Sequence, residues 1–248
     1  EGDRVDVDPN VLCEACPYCL SAKGHFCEHM TGIGTMVNGG FAEYVAVPAK
    51  QTHLVSDGCS LMKAAMTEPL ACCLHGIDMC DIRPGDRVCV IGAGMIGLIM
   101  LQLAKLSGAA FVAVSEPVAA KRQEAEKLGA DLCLDPSSMP EDAFLSLCGK
   151  YDFNCVIECA GLTRTIEQAV RIAGKKATVM MFGLTKPDDA ISLKPYDVFS
   201  KELTLRSSYI NPYTQARALA LIANGRVDVS AMVCEPISLE KLGEVLAS

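Results

Sequence analysis

RPGDRVCVIGAGMIGLIMLQLAK, residues 83–105, decides the fold. The turn tetrad Arg83-Pro84-Gly85-Asp86 leads into a strand expected at Arg87–Ile91, and a helical pattern runs over 95–106. Between them lies Gly92-Ala93-Gly94-Met95-Ile96-Gly97, a G-x-G-x-x-G turn. The pattern alone is weak. Here it has a strand before it, a helix after it, and an acidic residue, Glu116, about twenty positions on. Gly92 permits the tight turn, Gly94 lets the backbone approach a pyrophosphate, and Gly97 lets helix and strand pack closely. The helix N-terminus offers unpaired N–H groups and partial positive charge to phosphates. A carboxylate at Glu116 accepts hydrogen bonds from both ribose hydroxyls and repels a 2′-phosphate, which favours NAD over NADP. Lys121 and Arg122 follow closely and soften that preference.

The alternation continues outward from this turn. Strands are expected at 111–115, near 132–134, at 155–158, at 177–182 and at 203–207, with helices at 118–128, near 140–149 and at 163–173. Strands alternating with helices of this length make βαβ units and a parallel sheet covered on both faces. The nearly unbroken apolar strands VCVI, FVAV and CVI fit that burial. The expected class is α/β, a Rossmann doubly wound parallel sheet. Residues 88–104 carry no charge and approach the length of a membrane span, but their three glycines and the change of pattern read as strand, turn and buried helix.

Residues 1–60 carry strand and loop signals instead. GDRVDV reads as a strand, and GGFAEYVAVP reads as a turn at Gly39-Gly40 followed by a half-buried strand through Phe41, Tyr44, Val45 and Val47. From Met62 the text turns helical, interrupted at Pro69. The tail holds a helix at 213–223 and another from Leu239. The expected division is 1–65, a β domain with a metal lobe; 66–211, the dinucleotide-binding domain; and 212–248, a return toward the first. Composition narrows the function. Half of the 248 residues are apolar and the net charge is −8, which excludes a disordered chain and disfavours nucleic acid as the main partner. Residues 1–10 have no apolar core, so no secretory leader is expected there.

Fourteen cysteines are unusual for this length. Four of them, Cys13, Cys16, Cys19 and Cys27, follow C-x2-C-x2-C-x7-C, spacing that suits a tetrahedral Cys₄ zinc site. Disulfides are the rival. The other cysteines, Cys89, Cys155 and Cys159 among them, lie scattered in expected strands and helices, where thiols act as small apolar residues. That usage fits a reducing, cytoplasmic setting. Four thiolates fill the coordination shell, so the zinc is structural. His25 and His29 flank the cluster as loop residues rather than ligands.

GDRV-x-V-x-P, the cysteine lobe, GGFAEY, the EPL segment Glu68-Pro69-Leu70 and the GAGMIG turn occur here in one order. Together they resemble the zinc-dependent medium-chain alcohol and polyol dehydrogenases over essentially the whole chain. EPL and Tyr209-Ile210-Asn211-Pro212-Tyr213-Thr214 are most similar to the sorbitol, butanediol and threonine dehydrogenase branch. The resemblance implies a GroES-like domain, a homo-oligomer, and a catalytic zinc that binds the oxygen of a secondary alcohol or polyol while hydride passes to nicotinamide. It places Glu68 at or beside that zinc, and Cys159, Gly161, Phe182 and Gly183, at strand ends, on the nicotinamide side. The remaining catalytic ligands of such families precede GDRV, so the chain is expected to be a piece cut at both ends and inactive by itself. His75 is expected to be a packed helix residue. Two other readings stand beside the enzyme: a non-catalytic zinc- and dinucleotide-binding protein, and an acidic zinc-ribbon adaptor, which leaves the glycine turn without a role.

Overall fold

The computed structural model describes residues 2–247. Its backbone divides into two compact units, one from the chain up to Ala71 and from Ile210 onward, the other Cys72–Tyr209.

The first unit begins with β1 (Val5–Val7) and β2 (Asn10–Val11), followed by the short helix α1 (Pro17–Leu20), β3 (Thr31–Gly32) and β4 (Thr52–Leu54). β1 pairs antiparallel with β4, and β2 with β3. The expected strand over 41–47 does not form: Phe41 is 76% and Tyr44 91% exposed, and no described segment pairs with it. A strand must hand its N–H and C=O groups to a neighbour, and the local pattern cannot supply one.

Helices α2 (Leu61–Ala64) and α3 (Thr67–Cys80) follow. The Ser60 hydroxyl oxygen accepts the Lys63 N–H at 3.2 Å and caps α2. The helical text breaks before Pro69 rather than at it. Pro69 sits in the first turn of α3, where its missing N–H has no intrahelical partner to lose.

In the second unit, β5 (Arg87–Ile91), α4 (Met95–Leu106), β6 (Phe111–Ser115), α5 (Ala119–Lys127), β7 (Leu132–Leu134) and α6 (Glu141–Gly149) alternate. β8 (Phe153–Glu158), α7 (Thr163–Ile172), β9 (Ala173–Met181), α8 (Pro195–Lys201) and β10 (Thr204–Ser207) complete the series. Among the described residues six strands form one parallel sheet in the order β10-β9-β8-β5-β6-β7. The sheet is doubly wound, the class expected from the sequence, and its strand order reverses beside β5. Both β8 and β9 start earlier than expected. A register shift between Phe153 and Cys155 lets β9 take up the polar Gly174-Lys175-Lys176, which gives no strand signal of its own.

Burial explains the order. Val88, Cys89 and Val90 of β5 and Val112 and Ala113 of β6 are fully buried, and α4 buries every residue from Gly97 to Ala104. Phe144 and Phe153 are fully buried in the core on the α6–α7 side. Each such side chain contributes about 1.5–3 kcal/mol by leaving water.

The chain then returns to the first unit through α9 (Gln215–Ala223) and α10 (Leu239–Ala247). Polar side chains hold this return. Gln215 Nε2 donates to Asp6 Oδ2 at 2.8 Å, Asn211 Nδ2 to Gln215 Oε1 at 3.0 Å, and Asn10 Nδ2 to Asn211 Oδ1 at 2.6 Å. Thr214 Oγ1 donates to the Ala71 carbonyl at 2.7 Å. No helix among the described residues is long and apolar enough to cross a membrane.

Candidate functional site

The glycine turn closes β5 onto α4. Gly92 has φ +95°, a left-handed conformation, and donates its N–H to the Ser115 carbonyl at 2.8 Å. A Cβ at Gly97 would collide with the Gly92 carbonyl oxygen, so the helix start can lie this close only with glycine there. Gly94 faces open space, and neither a capping side chain nor an acidic residue occupies the first turn of α4. The first-turn N–H groups of the helix are therefore free of side-chain caps, with room above them, which is what a pyrophosphate requires. Met95 is 41% exposed at this end, and Ile96 is half-buried.

Glu116 is buried just beyond β6. Its Oε2 accepts the Ala93 N–H at 2.8 Å and its Oε1 the Val118 N–H at 2.9 Å, so the carboxylate links the glycine turn to the turn after β6. Each oxygen keeps a further lone pair for a ribose hydroxyl. Both turns line a cleft of about 560 Å³ that Lys121 also borders. Arg122 does not border it. Its Nη1 donates to the carbonyls of Glu116 and Pro117, both at 2.7 Å, and its Nη2 lies 3.2 Å from Asp135 Oδ2. Of the two basic residues read beside Glu116, only Lys121 borders the cleft.

At the ends of β8 and β9, Cys159, Gly161, Phe182 and Gly183 are all half-buried. Burial pushes the Cys159 thiol well above its usual range. The Phe182 ring packs on α3: a Cβ at Gly76 would stand 2.8 Å from it. Gly161 and Gly183 lie back to back, with Glu158 between them. Glu158 was not singled out in the sequence. A lone charge closing the apolar run CVI was the signal.

The cysteine lobe is the one group of three or more metal-ligating side chains among the described residues. The sulfurs of Cys13, Cys16, Cys19 and Cys27 lie within 4.8 Å of one another, and all four thiols are free of disulfides. Cys13 Sγ and Cys19 Sγ are 3.9 Å apart, close to the ~3.8 Å edge of a tetrahedron with Zn–S bonds of about 2.3 Å. Backbone N–H groups point at the sulfurs: Cys16 at Cys13 Sγ (3.3 Å), and Cys13 and His29 at Cys27 Sγ (both 3.4 Å). Such donors from Cys19 and Glu28 bring the Cys16 thiol down to about 6, while burial and the neighbouring thiols push Cys19 up to about 12. Four thiolates this close repel one another, and a divalent cation is the natural remedy.

His29 is exposed. His25 is half-buried, with its ring centroid 4.1 Å from that of Phe26. Tyr213 tethers the lobe, its hydroxyl accepting the Gly24 N–H at 3.2 Å. Glu68 lies half-buried in the first turn of α3, and His75 is half-buried further along the same helix.

Two family models match these two stretches. Residues 1–57 match the alcohol dehydrogenase GroES-like domain and residues 96–224 the zinc-binding dehydrogenase domain. The chain belongs to the zinc-dependent alcohol dehydrogenase family. The dehydrogenase is 32% identical over 250 residues to L-galactonate-5-dehydrogenase of Escherichia coli (strain K12), a match covering 98% of this chain and 71% of that one. It is 30% identical to the sorbitol dehydrogenase of Halalkalibacterium halodurans, with 97% and 71% covered. Among solved structures, a chain described as a zinc-binding dehydrogenase of Sinorhizobium meliloti 1021, bound to NADP, superposes with a TM-score of 0.95. The two are 37% identical, and the match covers 100% of this chain and 73% of that one. The dehydrogenase is thus an oxidoreductase of the zinc- and NAD(P)-dependent kind, not a zinc-ribbon adaptor.

Proposed function

We propose that this dehydrogenase oxidises a secondary hydroxyl of a polyol or related sugar derivative, with NAD as the preferred acceptor. The observation that carries the reading is the Gly92–Gly97 turn: a glycine at positive φ, a helix start with no room for a Cβ, and an open helix N-terminus without an acidic residue in its first turn, beside the Glu116 cleft. Gly92, Gly94, Met95, Ile96 and Gly97 would hold the pyrophosphate, and Glu116 the adenosine ribose, with Lys121 beside it. Cys159, Gly161, Phe182 and Gly183 would border the nicotinamide. The substrate class rests on relatives such as the L-galactonate-5- and sorbitol dehydrogenases.

Cys13, Cys16, Cys19 and Cys27 would hold one structural zinc. Bound nicotinamide supplies the hydride acceptor, and the family's catalytic zinc the Lewis acid that favours the alkoxide. Glu68 is our candidate for a carboxylate at or beside that second metal. Among the described residues it belongs to no second cluster of ligands, so no step is assigned to a zinc there. We read 1–65 with 212–248 as the GroES-like part and 66–211 as the dinucleotide-binding part. The fourteen free thiols support a cytoplasmic setting, and the exposed edge of β10 supports a homo-oligomer.

The test is calorimetric titration of the zinc-replete chain with NADH and NADPH, with zinc counted before and after thiol modification. We expect one zinc per chain, released by the thiol reagent, and tighter binding of NADH than of NADPH. A folded chain that binds neither dinucleotide sinks the proposal, and equal or tighter NADPH binding overturns the choice of NAD. The NADP in the Sinorhizobium meliloti relative makes that second arm a real contest.

A further inference from the structure

Glu158 ends an apolar strand and is fully buried, yet no Lys, Arg or His pairs with it among the described residues. A buried carboxylate without a cation persists only where hydrogen-bond donors are supplied for it. Here they come from the turn it precedes. The N–H groups of Ala160 and Gly161 donate to Oε1 at 2.7 and 3.0 Å, and Gly161 N–H also lies 3.3 Å from Oε2. The Thr165 hydroxyl, in the first turn of α7, stands 2.8 Å from Oε1 and equally far from the Leu162 carbonyl.

The backbone of the same residue holds the neighbouring turn. Its carbonyl accepts Phe182 N–H at 3.0 Å and Gly183 N–H at 2.8 Å. The two turns touch through glycines. A Cβ on Gly161, at φ +68°, would stand 2.6 Å from the Leu184 carbonyl oxygen, and a Cβ on Gly183 would stand 2.7 Å from Glu158 Oε2. One residue therefore holds the carboxyl ends of two adjacent strands: its side chain holds the turn after β8 and its backbone carbonyl the turn after β9. Glu116 performs the corresponding task beside β5 and β6, bridging the Ala93 and Val118 amides.

We infer that Glu158 is a positioning residue for the nicotinamide half of the dinucleotide. It shapes the turns 159–161 and 182–184 from below without touching the cofactor. The inference rests on the dinucleotide reading above. A glutamine at this position keeps the size of the side chain and, with its oxygen at the Oε1 position, the Ala160 and Thr165 contacts, but it removes the charge and sets an amide NH₂ against the Gly161 N–H where Oε2 now lies. The adenosine half, organised by Glu116, should feel little of this.

The test compares NADH with ADP-ribose, which lacks only the nicotinamide ring. For zinc-replete Glu158→Gln, we expect NADH affinity to fall at least tenfold and ADP-ribose affinity to change less than threefold, with the melting transition still cooperative. Thr165→Val, which removes one donor, should lower NADH affinity in the same selective way by a smaller factor, and it decides the matter if the glutamine variant does not fold. Unchanged NADH affinity, or equal losses for both ligands, overturns the inference while leaving the dinucleotide reading intact. Failure of the unsubstituted chain to bind either ligand would instead sink that underlying reading.

Discussion

The two units of this dehydrogenase are stabilised by opposite means. Cys72–Tyr209 hides long apolar strands between helices, and its two buried carboxylates, Glu116 and Glu158, are satisfied by backbone amides of the turns at the strand ends. The other unit has strands of only two or three residues. It relies on four clustered thiols and on the chain Asp6–Gln215–Asn211–Asn10 of side-chain hydrogen bonds. Short strands bury little, so that unit needs a metal and a polar network where the other has a core. The difference also separates roles: the buried carboxylates of the sheet unit stand at strand ends, beside the proposed dinucleotide site, whereas the polar network of the other unit holds segments together.

The largest test of this contrast is metal removal. Structural zinc contributes about 10–16 kcal/mol in small zinc-binding peptides. Stripping the metal, or Cys27→Ser, should therefore expose residues 13–32 to protease while NADH binding by the sheet unit survives. If NADH binding is lost together with the lobe, the two units are not independently stabilised.

The converse is Phe153→Ala. It should cost about 3–5 kcal/mol of stability in the sheet unit, read by denaturant unfolding, without loosening the zinc. A third, smaller effect is expected from Gln215→Ala, which removes one partner from the Asp6 carboxylate and one from the Asn211 amide. About 1–3 kcal/mol should be lost, visible as faster amide exchange in α9. A loss below the error of measurement would show that the polar network adds little.

The smallest effect concerns pH. Burial holds the Asp6 carboxyl above its ordinary range, against the Gln215 hydrogen bond. An acid raised on folding contributes stability that is complete below its unfolded value, near 3.9, and lost as pH rises through the folded value. Asp6→Asn keeps an acceptor for Gln215 and removes this dependence. Its Tm should exceed that of the unsubstituted chain slightly at pH 7 and not at pH 3. A destabilised Asp6→Asn at pH 7 would mean that the charge itself supports the network.

Much of the sheet unit was legible because its signals are local. The run VCVI, the glycines at 92, 94 and 97 and the helical period after them lie within one stretch of chain, and their reading needs no distant partner. The cysteine spacing was legible for the same reason. The strand expected over 41–47 failed because pairing is not local. Pro69 was misread because its effect depends on where the helix begins. Arg122 and Lys121 look alike in the sequence, yet the carbonyls of Glu116 and Pro117 take up Arg122, whereas Lys121 borders the cleft.

By itself, then, the sequence determined the class of fold, the order of its elements along the chain, the glycine turn and the thiol set, since each is written in composition and spacing along the chain. Only the tertiary structure decided what buried charges do. Glu116 and Glu158 are single letters at the ends of apolar strands, and which amides satisfy them depends on turns brought together by sheet pairing. A buried carboxylate takes its role from its donors, and those are chosen by the fold.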